Sequence, residues 1–155
     1  MIFKASTDYG LRTLLYLADR DRVCSSKEIS ENAGIPRDYL IQLAQQERAA
    51  GLIESRAGKN GGYIIARPAS SITLLEVIDA IDGSGEQHHA LHAHTEDVLL
   101  QRAMEAVLDS YNAYLDSITL DMLLDCASGH QNTEACLAAC LQAESERLTQ
   151  GSAPA

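Results

Sequence analysis

Seven residues, Arg56-Ala57-Gly58-Lys59-Asn60-Gly61-Gly62, constrain this 155-residue chain more than any other stretch. Three glycines and an asparagine cannot sustain a helix, because each glycine gives up the most backbone freedom on ordering. The flanking runs Leu52-Ile53-Glu54-Ser55 and Tyr63-Ile64-Ile65-Ala66 are β-prone, so the seven residues read as the tip of a hairpin that Pro68 ends. Arg56, Lys59 and Asn60 stand among those glycines, where the backbone can approach a phosphate or a minor groove closely.

Helical patterns precede the hairpin. From about Lys4 to Arg20, apolar residues at Tyr9, Leu11, Leu14, Leu15, Leu17 and Ala18 follow helical spacing. Ser25-Ser26-Lys27-Glu28 has the form of a capping box and opens a short helix that Gly34 stops. Pro36 suits the first turn of the next helix, which carries Tyr39, Leu40, Leu43 and Ala44 to a stop at Gly51. Short helix, Gly34-Ile35-Pro36 turn, longer helix is helix-turn-helix spacing, and a hairpin directly after it is a wing.

Beyond the hairpin, Thr73-Leu74-Leu75-Glu76 is a second capping box. It opens a helix with Leu74, Val77, Ile78 and Ile81 on one side, broken by Asp82-Gly83-Ser84-Gly85. From a cap at Thr95, Leu100, Met104, Val107, Tyr111, Tyr114 and Ile118 recur at spacings of 4, 3, 4, 3 and 4. That is a coiled-coil-like seam, expected to pair with a second copy of the chain. A final short helix is expected at Thr119–Leu124. The predicted fold is mainly α with a small β-hairpin: a winged helix-turn-helix followed by a long dimerisation helix. The expected divisions are 1–82, the winged head; 83–94, a histidine-rich segment; 95–125, the dimerisation helix and short helix; and 126–155, a cysteine-containing extension and tail.

The formal net charge of −10 alone argues against a nucleic-acid partner. It is unevenly spread. Residues 1–82 hold ten Lys/Arg and eleven Asp/Glu, whereas residues 83–155 hold two and eleven. Residues 35–67 are locally basic, and binding depends on the charges that touch phosphate. No apolar run is long enough to span a bilayer and no secretory leader is evident, so a cytoplasmic protein with reduced thiols is expected. No nucleophile–base pair or phosphate-binding P-loop points to an enzyme.

The ordered features Thr7-Asp8-Tyr9-Gly10-Leu11-Arg12, Ser26-Lys27-Glu28-Ile29, Tyr39-Leu40, Ala50-Gly51-Leu52-Ile53, Gly58-Lys59-Asn60-Gly61-Gly62-Tyr63, Ala66-Arg67-Pro68 and Ser117-Ile118-Thr119-Leu120 resemble the Rrf2 family of bacterial winged-helix transcription regulators (the IscR, NsrR and CymR types). The resemblance implies a homodimer on double-stranded DNA, binding a palindromic operator and acting as a repressor. It places the third helix in the major groove and the wing at the minor groove. Carried over by position, the DNA contacts are Ser26, Lys27, Arg37, Tyr39, Gln42, Arg56, Lys59, Asn60, Gly61 and Gly62. Arg37 and Gln42 suit base edges, and Arg56 and Lys59 suit phosphate.

Three departures from the family pattern stand out. Ala57 replaces a frequent arginine in the wing. Glu47 interrupts the apolar stripe of the third helix and needs a partner, or else leaves that helix end loosely held. The stretch from Gly83 to Thr95 has none of the cysteines that ligate the iron–sulfur cluster of many relatives, and carries His88, His89, His92 and His94 instead. A transition-metal site, a pH-responsive segment and a plain polar linker all remain open there. Cys24, Cys126, Cys136 and Cys140 are candidates for redox chemistry or alternative ligation, or for simple packing. A thiol- or metal-responsive regulator acting chiefly through a protein partner is the alternative function. Asp8 has a local role beside Arg12 as its simplest explanation.

Overall fold

The computed structural model describes residues 4–83 and 98–128. Helix α1 (Ala5–Arg20) is followed by α2 (Ser26–Ala33) and α3 (Arg37–Ala49). The hairpin is β1 (Ile53–Arg56) and β2 (Gly62–Ile65). A 3-10 turn (Ala69–Ser71), α4 (Leu74–Asp82), α5 (Val98–Asp116) and α6 (Leu120–Ser128) complete it.

The boundaries follow from local chemistry. The Ser25 hydroxyl accepts from the Glu28 amide at 3.1 Å and caps α2. Only that half of the expected box dominates, because the Glu28 carboxylate is drawn to Arg22 and Tyr16. Gly34 closes α2 at φ 68°, the left-handed conformation that costs glycine nothing. Pro36 is the N-cap of α3 rather than a residue of its first turn, so the helix starts at Arg37. The Thr73 capping box is complete in both directions.

The strands pair antiparallel, with Ile53 opposite Ile65 and Arg56 opposite Gly62. Cys24 adds one bridge to the outer strand. Its N–H donates to the Tyr63 carbonyl and its carbonyl accepts from the Tyr63 N–H, both at 2.9 Å. The wing is thereby stitched to the segment that leads into α2.

Leu14 and Leu17 of α1, Ile29 of α2, Leu40 and Leu43 of α3, Leu52 and Ile53 beside the wing, and Val77 and Ile81 of α4 form one core. Burial of each such side chain is worth ~1.5–3 kcal/mol. Leu120 of α6 is fully buried in that same core. The Leu120 N–H donates to the Ile72 carbonyl at 3.0 Å, and the Leu74 N–H to the Ile118 carbonyl at 2.7 Å. By packing, the short last helix therefore belongs with the winged head, although it follows the long helix in sequence.

Ile118 corrects the expected seam. It lies past the end of α5 and is buried with Leu74 and Leu115, so it anchors α5 to its own head. Leu100, Val107, Tyr111 and Tyr114 stay exposed on α5 and Met104 is half-buried. Asp8 pairs with Arg12 at 2.8 Å, the local role expected of it.

Candidate nucleic-acid interface

The N-terminus of α2, the start of α3 and the wing meet at an open groove of about 310 Å³. Ser26, Lys27, Arg37, Arg56, Gly61 and Gly62 line it, which brings six of the ten positions chosen from sequence onto one surface. Ser26 and Arg37 each open a helix. The Arg37 Nε donates to the Ser26 hydroxyl at 3.2 Å, which orients the guanidinium along the groove. Lys27 is exposed, with its amine 3.8 Å from Glu31 one turn on. Arg56 is held by Glu54 at 2.9 Å on the same strand. Both ion pairs are exposed and weak, so a phosphate can displace them at small cost. The free amides at the start of α2 add partial positive charge on the same side.

Helix α2 is held at this angle from behind. The Tyr16 hydroxyl donates to Glu28 at 3.1 Å, and Arg22 donates to the same carboxylate at 2.5 Å. The Arg22 guanidinium is the main influence holding the Glu28 carboxyl below the usual glutamate range. Burial is the main cause of the raised Tyr16 phenol.

Tyr39 and Gln42 lie on the other flank of α3. They line a second cleft of about 590 Å³ with Gln46, Lys4 and Asp82. The Tyr39 ring meets Tyr9 edge-on with centroids 5.8 Å apart, so it also fastens α3 to α1. Lys59 and Asn60 are exposed at the wing tip.

Gly61 and Gly62 have a reason to be glycine that needs no ligand. A Cβ on Gly61 would stand 2.4 Å from the Arg56 carbonyl oxygen, and one on Gly62 would stand 2.1 Å from that of Cys24. The hairpin and its Cys24 bridge close only without those carbons.

Sequence reasoning missed one part of this surface. Ser55 lines the groove, and its hydroxyl accepts from Arg48 of α3 at 3.1 Å, tying helix to wing. No alternation in the sequence signals it: β1 buries Ile53 alone and leaves Glu54, Ser55 and Arg56 exposed.

Glu47 is fully buried on α3, and neither carboxyl oxygen has a hydrogen-bond partner among the described residues. It faces Gly10 of α1 and Ile81 of α4; Oε1 is 3.1 Å from where a Gly10 Cβ would stand. Desolvation raises its pKa well above the ordinary value. Glu47 is thus sealed inside the head, where burial favours the neutral form of its carboxyl.

The described cysteines are both buried. Cys24 is fully buried, with its thiol 3.5 Å from the Arg22 carbonyl, and burial raises its pKa. A thiol so placed is a poor nucleophile, which favours packing among the roles considered for it. Cys126 is also buried, on α6. Cys136 and Cys140, and His88, His89, His92 and His94, lie outside the described residues. Among the described residues no group of three or more His, Cys, Asp or Glu converges as a metal site. None of their helices is long and apolar enough to cross a membrane.

A helix-turn-helix with a glycine-rich, basic hairpin beside it defines a winged-helix protein. The Rrf2 family model, described as an iron-dependent transcriptional regulator, matches residues 3–126, and the chain belongs to that family of regulators rather than to an enzyme class. IscR of T. potens is 31% identical with a TM-score of 0.67, over 87% of this chain and 96% of that one. CymR of B. subtilis, the global cysteine regulator, is 26% identical with a TM-score of 0.67, over 81% and 97%. Staphylococcus aureus CymR is 28% identical with a TM-score of 0.63, over 79% and 97%. The iron of the family description does not fit here as a three-cysteine cluster. Gly83 to Thr95 contains no cysteine, and the two described thiols are buried on separate elements.

Proposed function

We propose that the chain is a homodimeric repressor of the cytoplasm that binds a palindromic operator in double-stranded DNA. Helix α3 enters the major groove and the Arg56–Gly62 wing lies along the minor groove. The observation that carries this reading is the single groove shared by the α2 N-terminus, Arg37 and the wing. Phosphate contacts from Lys27, Arg56 and Lys59 set the register, while Arg37 and Gln42 meet base edges. The acidic excess of residues 83–155 is repelled by phosphate and helps keep that half off the duplex.

Anisotropy titrations of promoter duplexes against salt test this. Lys59→Ala is expected to weaken binding to all sequences alike and to lower the slope of log K against log salt by about 1. Arg37→Ala is expected to cost about 1–3 kcal/mol and to narrow the gap between operator and random DNA. Unchanged affinity in both variants would mean that this surface does not read DNA.

The partner of α5 is a second copy of the same helix. Leu100, Val107, Tyr111 and Tyr114 are 50%, 60%, 42% and 47% exposed at coiled-coil spacing, an apolar stripe that pairing would cover. Tyr111→Glu is expected to shift the protein from dimer to monomer in sedimentation and to weaken operator binding at least about tenfold, because the two half-sites are no longer linked. A variant that stays dimeric would place the dimer contact elsewhere.

A further inference from the structure

Tyr39, Leu40 and Leu43 of α3 belong to the core or pack against it; Ile41 does not. It is half-buried and outside the core. Helical geometry places it one turn after Arg37 and two turns before Arg48. Both ends of that stripe are pinned: Arg37 by Ser26 of α2 and Arg48 by Ser55 of β1. Ile41 therefore shares the helix face of two guanidinium groups, the face turned towards α2 and β1. Exposed Gln42 follows it around the helix, towards the flank that lines the second cleft, so the two residues occupy adjacent strips of α3.

An isoleucine on such a surface has no phosphate to satisfy and no core to fill. A thymine C5-methyl group in the major groove is the apolar feature it matches, and the glutamine carboxamide matches adenine N6 and N7. We propose that Ile41 and Gln42 together specify neighbouring base pairs in each half-site: Ile41 covers the methyl group of a thymine, and Gln42 bonds the adenine of the adjacent pair. This rests on the DNA-binding reading above.

The test uses the full-length chain and a half-site obtained by selection from random duplexes. Each thymine is replaced in turn by deoxyuridine, which lacks only the methyl group. One position per half-site is expected to lose about fourfold in affinity, the worth of one buried methyl. In Ile41→Ala that penalty disappears, and in Ile41→Val it persists. Gln42→Ala keeps the deoxyuridine penalty but loses the preference for adenine next to it. No sensitive thymine in the parent protein, or an unchanged penalty in Ile41→Ala, overturns the assignment while leaving DNA binding intact. Absence of salt-dependent binding to any duplex overturns the DNA-binding reading itself, and the assignment with it.

Discussion

Replacing Glu47 with methionine is expected to stabilise the protein at neutral pH by about 2 kcal/mol, or about 4–8 °C in the thermal midpoint. The carboxyl is fully buried between Gly10 and Ile81, with no hydrogen-bond partner for either oxygen among the described residues. Methionine has the same unbranched length, suits a helix and leaves no polar atom unsatisfied. The gain should depend on pH with a definite sign. In the unfolded chain Glu47 ionises near ~4.3. Folded, burial holds the proton to a higher pH. Its contribution to stability is fully present below the unfolded pKa and is lost as pH rises towards the folded one, by at most ~1.4 kcal/mol per pH unit. The parent should therefore fall behind Glu47→Met as pH is raised from 5 to 8, while Glu47→Gln removes the pH dependence and keeps an unpaired amide. Parallel stability curves for parent and Glu47→Met would show that the carboxyl has a charged partner in solution.

Gly62→Ala is expected to destabilise the fold by about 2–3 kcal/mol and to abolish high-affinity DNA binding. The new Cβ would stand 2.1 Å from the Cys24 carbonyl oxygen and 2.6 Å from its carbon. Backbone cannot yield as a side-chain tip can. The two 2.9 Å hydrogen bonds between Cys24 and Tyr63 would break, and the wing would swing away from α2. Gly58→Ala is the control. Gly58 has φ 113° with open space around its missing Cβ, so its cost of ~1 kcal/mol is conformational alone. Equal midpoints for Gly62→Ala and the parent in chemical denaturation would show that the bridge does not hold the wing. The order of the two variants separates a glycine required by backbone contact from one required by backbone angle.

The helix-turn-helix and the wing were legible because their signals are local. Gly34, Gly51 and Pro68 punctuate the chain where they stand, and the Thr73–Glu76 box closes within four residues. The basic groove was legible as a set of residues, since Ser26, Lys27, Arg37 and Arg56 carry their chemistry in their side chains. The reason for Gly62 was not, because it lies in a contact with Cys24, far away in sequence. Ile118 shows the same limit from the other side. Its spacing continues the seam of α5, yet the helix ends at Asp116 and the residue turns inward beside Leu74.

Periodicity, caps and turn residues by themselves determined which segments of this protein become helix or strand, and hence its winged-helix class, because those preferences act over a few residues. Tertiary structure alone decided that Leu120 completes the head's core, that Cys24 is a buried bridge residue, and that Glu47 is sealed against α1 with no hydrogen-bond partner among the described residues. Each depends on desolvation and contact between segments far apart in the chain, and a side chain's burial and pKa are set by what surrounds it in space.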